Sequence, residues 1–406
     1  MVCFVPRNFP SRRPPLWRAT ARRGRPGGLP RFTTGSARDA INLRWNYTNE
    51  INLATGEWTR AGYRAPACYV TNAWPIVRAT FSAAPADLSS VTLLAETDAA
   101  IGGFAATNVA FAAGAASDVA LSTQSATTNC ILKETFDLTW KAVVSNETEI
   151  VTNTLGKTDG HVFYTILDEP KLPWTDSEIA NSNVWVSALD VVMNTNACTG
   201  STSQTNCLAS LTMFLFENHG LVYETDNGSS QYFDILVDPT TYDYYVQFQL
   251  SEYLAKGKGN YVNCYDQAYG LSILGRALGI SSEVKFLLPF GYINPTNLIG
   301  VGECNSPFFT TNNHVIASSK LRPVDDLDRK WFYNHRYVVA SGKVFDCCAG
   351  PALGDLSQAD YLDAWVDKST PDEEDLTKFQ HVPGVMGKKA GDEGNVKTDA
   401  FPIKLE

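Results

Sequence analysis

The stretch Asn263-Cys264-Tyr265-Asp266-Gln267-Ala268 constrains this chain more than any other. It opens an apolar segment, YGLSILGRALGI, that runs out at Gly279-Ile280. Asn263 is a favoured N-cap type, and Asp266 falls in the first turn, where a carboxylate suits the helix dipole. Gly279 suits the position just past a helix end, so start and stop signals agree on one helix. Cys264, Ala268, Leu271, Leu274 and Leu278 recur on a single face, and Gly270 and Gly275 permit close approach of a neighbour. A thiol is thus expected in the first turn of a largely buried helix. The unpaired N–H groups there favour negative charge on a sulfur and can cradle an oxyanion. Taken alone, such a cysteine reads as structural, because free cysteine is among the most buried residue types.

Downstream, Lys330-WFYNHRYVVASGKVFDCCAG reads as a β-hairpin. Trp331, Tyr333, His335, Tyr337 and Val339 alternate onto one face, Ser-Gly supplies the turn, and Lys343 to Cys347 return. With Ser341-Gly342 as the two loop residues, His335 faces Cys348 and Asp346 is one diagonal step away. With the loop at Ala340-Ser341, His335 faces Asp346 directly. Both registers put imidazole and carboxylate on one face, about 5–8 Å apart at Cβ.

A helix-borne cysteine followed by a hairpin-borne histidine and aspartate is the order found in the transglutaminase-like superfamily, distant relatives of papain-type proteases. The chain resembles that family's core over roughly residues 182–354, through NCYDQA with its trailing helix and LGI, then NHRYVV, then VFDCCAGP. The resemblance implies Cys264 as nucleophile, His335 as general base and acid, and Asp346 as the residue that orients His335. Two departures stand out. Tyr265 follows the cysteine where many members carry Trp, and His335-Arg336-Tyr337 replaces a frequent His-Ala-Trp.

A chain of 406 residues has room for two domains, each with a sizeable core. No apolar run approaches the ~18 residues of a membrane span. The net charge of −10 hides an asymmetry, because residues 1–38 hold nine arginines and no acid. The rest is therefore strongly acidic, which argues against nucleic acid as partner. Of nine cysteines, eight remain if Cys264 is a free nucleophile, an even number compatible with disulfides. Cys198 and Cys207 bracket a polar loop and make the most plausible local bridge. Sequons begin at Asn46, Asn146 and Asn227. These features favour an extracellular or cell-surface location, with the cytoplasm as alternative. Residues 1–36, rich in Arg, Pro and Gly and without an apolar leader core, are expected to be a disordered tail.

Residues 37–181 carry short alternating runs (VRATFS, SVTLLAET, NVAFAAG, DVALST, ETFDLTWKAVV, HVFYTIL) spaced as in a β-sandwich. His161 reads as a surface or edge residue. Pro170 to Asn183 looks like the domain junction. WVSALDVVM and LASLTMFLF are apolar enough for two buried helices, with His219-Gly220 closing the second. Tyr242 to Leu254 is strand or helix. Ser281 to Arg329 begins as a strand and continues as a long loop of the kind that forms lids. Cys304, His314, Cys347 and Cys348 invite a metal reading, but CxxC and HExxH spacings are absent, so no metal or cofactor is expected. Residues 355–406 are expected to give one amphipathic helix and a disordered acidic tail.

The expected fold is α+β: an N-terminal β-sandwich-like domain, then a transglutaminase-like (papain-like) core at 182–354 with a helix-borne Cys packed on an antiparallel sheet. The expected activity is cysteine-dependent acyl transfer on amides of a protein or peptide substrate, without nucleic acid or membrane. Water as acceptor would make it a protease or amidase, and an amine would make it a crosslinker. The alternative is a catalytically inactive binding or structural protein on the same fold.

Overall fold

The computed structural model describes residues 40–45, 65–84, 90–112, 114–145, 150–176, 183–194, 197–311, 314–315, 320–326, 328–369 and 390–406. Short pieces at 16–18, 31–34, 52–53 and 56–57 are also described. The fold is mixed α+β, with more strands than helices. It divides into two compact units, one of residues 1–44 and 51–166, the other of 45–50 and 167–406.

The first unit is built from β1 (Leu16–Arg18), β2 (Arg31–Thr34), β3 (Gly56–Glu57), β4 (Ala67–Val70), β5 (Pro75–Ala84), β6 (Val91–Glu96), β7 (Phe104–Val109), β8 (Ala115–Thr123), β9 (Leu132–Ser145) and β10 (Ile150–Ile166). They form one sheet in the order β3-β2-β5-β8-β7-β6-β9-β10-β4, with β1 also on β5. Strand periodicity is plain in β6, where Val91, Leu93 and Ala95 are buried and their neighbours are not. Phe81 on β5 and Trp140 on β9 are four strands apart, on the order of 19 Å in a flat sheet. Their rings nevertheless meet edge to face at 5.8 Å. The sheet therefore bends round a single core, helped by bulges in β7, β8 and β10. Two separate sheets were the expectation; a continuous ladder takes their place.

Other expectations shift here. The strand placed at NVAFAAG lies earlier, at β7. HVFYTIL is only the end of the 17-residue β10, whose first half holds few apolar residues and is fixed by pairing with β9. His161 is buried, 4% exposed, with Nε2 2.8 Å from Thr158 Oγ1 and its ring stacked on Phe136, because the inner end of that long strand enters the core. The two described pieces of the arginine-rich leader, β1 and β2, pair with β5, and the rest of residues 1–36 lies outside the described residues. Asn46 and Asn146 lie outside the described residues.

The second unit takes over at Leu167, ahead of the expected junction. Trp174, placed in that junction, is fully buried and donates its indole N–H to Ile273 O at 2.9 Å. The helices are α1 (Val186–Val192), α2 (Gln204–Met213), α3 (Leu250–Ala255), α4 (Cys264–Ala277) and α5 (Gln358–Trp365). The strands used below are β11 (Val222–Tyr223), β12 (Phe233–Val237), β13 (Tyr244–Phe248), β14 (Tyr261–Val262), β15 (Glu283–Leu287), β16 (His335–Ala340), β17 (Lys343–Asp346), β18 (Ala352–Leu353), β19 (Val396–Thr398) and β20 (Ile403–Leu405). The main sheet runs β18-β17-β16-β15-β19, and a smaller one β12-β13-β20. The ambiguous segment 242–254 splits at Gln249 into β13 and α3. Ile403 and Leu405 are buried and alternate with Lys404, which is why the charged C-terminal stretch ends as a strand. Residues 370–389 lie outside the described residues.

The helix α4 is the centre of this unit and packs on β16, α1 and α2. Nearly every residue is buried, not one face alone. A Cβ at Gly270 would meet the Tyr253 ring at 2.7 Å, and one at Gly275 would meet Leu208 at 3.1 Å, so small residues set how closely its neighbours approach. The helix ends at Leu278 with Ile280 N–H on Gly275 O and Gly279 N–H on Arg276 O, the paired bonds of a Schellman ending. Gly279 sits at φ +87, and a Cβ there would come within 2.3 Å of Asp168 O. Gly279→Ala is expected to lower stability by about 2 kcal/mol or more, measured as a shifted urea midpoint; an unchanged midpoint would refute this packing.

Candidate functional site

Asn263 caps α4 and folds the start of the helix into a closed network. Its side-chain oxygen accepts from Tyr265 N at 2.8 Å and Asp266 N at 3.2 Å, while Asp266 Oδ2 accepts from Asn263 N at 3.1 Å. This reciprocal capping box claims two of the free N–H groups. Asp266 also reaches sideways to Gln231 N at 2.9 Å and Tyr232 N at 2.8 Å, and Asn263 Nδ2 donates to Gly228 O at 2.8 Å. The loop before β12 is thereby tied to the helix start. Burial pushes Asp266 up to about 6 against the pull of those N–H donors.

Cys264 is the first helical residue and is 3% exposed. It lies on a cleft of about 740 Å³ within the second unit, walled by Tyr223, Phe233, Phe308, Trp331, Phe332 and Asn334 among others. Asn227, the one described sequon asparagine, also lines this cleft.

The hairpin follows the first of the two registers. Ala340 pairs with Lys343 and Val338 with Phe345, and the turn residues Ser341 and Gly342 have φ 50 and 74, as a two-residue primed turn requires. Both faces of β16 are buried because it is the middle strand of five, so the strand shows no one-sided alternation. His335 Nε2 lies 2.8 Å from Asp346 Oδ2, with both side chains buried. The sequence residues His335 and Asp346 are therefore brought into contact. The other ring nitrogen, Nδ1, is buried and has no hydrogen-bond partner of standard geometry. Cys264 is nonetheless close enough to act on the ring. Burial pulls the imidazole down, but Asp346 and then Cys264 outweigh it and raise the ring to about 10.

Three donors besides His335 hold Asp346, and sequence reading found none of them. Tyr361 Oη donates to Oδ2 at 2.7 Å, and Cys348 N and Ala349 N donate to Oδ1 at 2.7 and 3.2 Å. Tyr361 comes from α5, and only its spacing on that amphipathic helix could have flagged it. Gln267 is a second omission: it accepts from Tyr253 Oη at 2.5 Å and donates to Cys347 O at 3.2 Å, joining α4 to the strand end. The remaining cysteines have other surroundings. Burial pushes the Cys347, Cys348 and Cys198 thiols well up, and Cys304 to about 11. Cys198 and Cys207 are free thiols, with Cys198 Sγ 3.5 Å from Cys207 O. Both are fully buried and neighbours, and the bridge expected for maturation in an oxidising compartment is not formed here. Among the described residues no His, Cys, Asp and Glu cluster has metal-site geometry.

Neither a family model nor a curated protein matches the sequence. Among solved structures, red sea bream transglutaminase aligns at 12% identity with a TM-score of 0.39, covering 71% of this chain. The chain spans half the length of that structure.

The His335 shift carries a sign. A ring raised above 6.5 in the folded state gives stability that is complete below about 6.5 and lost as pH rises through about 10. Stability of the wild type should fall over that range relative to His335→Gln. In Asp346→Asn the ring should titrate below its ordinary value, since burial then acts against a weaker opposing charge. Imidazole NMR titration checks this, and a ring that titrates near 6.5 in the wild type would contradict it.

Proposed function

We propose that this chain is a transglutaminase-like cysteine enzyme that transfers the acyl group of an amide in a protein or peptide substrate. The observation that carries this reading is the buried 2.8 Å His335–Asp346 pair, whose second ring nitrogen is left for Cys264 at the head of a capped helix on a cleft. In this reading His335, charged and oriented by Asp346, keeps the Cys264 sulfur as an ion pair. The sulfur attacks the amide carbonyl carbon. The tetrahedral oxyanion collapses, the C–N bond breaks, and the amine leaves with the proton from His335. Water or a second amine then attacks the thioester carbon, giving its proton back to His335. The C–S bond breaks, the acid or new amide leaves, and the Cys264 sulfur is restored beside His335. Hydrolysis is the simpler course, because it needs no second pocket.

Two donors suit the oxyanion. The Cys264 N–H is not claimed by the capping network, which engages Tyr265 and Asp266. Tyr223 lines the cleft with Cys264, and burial, reinforced by charge on Cys264, keeps its phenol protonated well above the usual 10. It would therefore be a donor throughout the working range.

Release of amine from unfolded casein tests the proposal. Cys264→Ala should abolish it, and Asp346→Asn should reduce it by two orders of magnitude or more, with thermal midpoints showing that both variants fold. No turnover in the wild type would leave the inactive binding protein as the reading, and turnover that survives in Cys264→Ala would put the chemistry on another residue.

A further inference from the structure

The cleft that holds Cys264 continues into an open sheet edge. Phe233, Asp234 and Ile235 of β12 line the cleft, and the strand runs on beyond it as Leu236 and Val237. Among the described residues β12 is the outer strand of its sheet and pairs only with β13. Flanking bonds fix which backbone groups point outward. Asp238 N donates to Asp243 O at 2.8 Å, and Gln249 N donates to Tyr232 O at 2.9 Å. The even-numbered residues of β12 therefore bond to β13, and the odd-numbered ones face the edge. Phe233 O is already taken by Ser230 Oγ at 2.9 Å. That leaves the N–H and C=O groups of Ile235 and Val237 facing outward, with no strand paired to them among the described residues.

The side chains make this edge unusual. Ile235, Leu236 and Val237 are 40%, 37% and 46% exposed. Exposed edges are ordinarily guarded by Lys, Pro or a bulge, and β19, the edge of the main sheet, carries Lys397. Asp234 puts one exposed charge at the cleft end of β12, and the three residues beyond it are neither charged nor proline. Exposed Tyr244, opposite Val237, and Phe401 beside it extend the apolar surface across the same small sheet.

We infer that β12 is a docking strand for substrate: an extended polypeptide segment adds to its edge through Ile235 and Val237 and is led along it to Cys264. The inference rests on the acyl-transfer reading and names its substrate class. A strand of five residues offers about 17 Å of main-chain pairing, which recognises backbone first and side chains second. The fitting substrate is therefore an unfolded or extended protein segment with apolar or β-branched residues, not a folded surface or a small free amide.

The test uses the full chain carrying Cys264→Ala, so that binding is read apart from reactivity. The probe is reduced, carboxymethylated α-lactalbumin, a permanently unfolded polypeptide. At saturation it should slow amide exchange at Ile235 and Val237 tenfold or more, whereas native α-lactalbumin should not. Val237→Pro removes an outward N–H without breaking a bond to β13, and should weaken binding of the probe about tenfold. Unchanged exchange at both amides, or equal affinity of the Val237→Pro protein, overturns the inference. Protection that appears without probe and grows with protein concentration also overturns it, by showing a second copy on the edge. Because Cys264→Ala cannot react, none of these outcomes depends on whether the proposed chemistry occurs.

Discussion

Everything in the second unit converges on one buried carboxylate. Asp346 is 2% exposed, a burial that would cost several kcal/mol for an ionised group left unpaired. The fold meets that cost with four donors from three places: the imidazole of β16, the phenol of α5, and two backbone N–H groups just past the end of β17. Each of these elements is thereby held in register with the others. The orientation of His335 is a consequence of this arrangement, because a ring fixed through Nε2 can present only Nδ1 elsewhere.

The helix start repeats the device with Asp266. This carboxylate caps its own helix and fastens the loop that leads into β12, so one side chain fixes both the thiol and a wall of the cleft. The two carboxylates are joined through α4 and Gln267, which bonds to the carbonyl of Cys347 beside Asp346. The position of the sulfur and the position of the imidazole are thus set by neighbouring parts of one hydrogen-bonded framework. Arg336, on the opposite face of β16 from His335, adds to it by stacking on Tyr265 at 3.6 Å and pairing with Asp399 at 2.5 Å.

How much of this was legible in the sequence follows from how local each signal is. The cap, the first turn and the end of α4 are written in residues 263–280, and the structure follows them closely. The hairpin turn is equally local, and its Ser-Gly pair chose between the two registers. Signals that depend on distant partners were not legible. Tyr361 meets Asp346 only after α5 folds back on the hairpin, and Trp174 looks like a linker residue until α4 covers it. The first half of β10 has a polar sequence, and only its ladder with β9 makes it strand. The single folded-over sheet was hidden for the same reason, since strand spacing records how many strands there are and not how their edges join.

The central claim is that Cys264 reacts because His335, held by Asp346, stands beside it. The most direct measurement is the alkylation rate of each cysteine by iodoacetamide in the native protein at neutral pH, resolved by peptide mass analysis. The account predicts that Cys264 reacts fastest, well above its rate in the unfolded chain, and that Asp346→Asn removes the excess. A Cys264 rate equal to that of the unfolded chain, with another cysteine reacting faster, would contradict it.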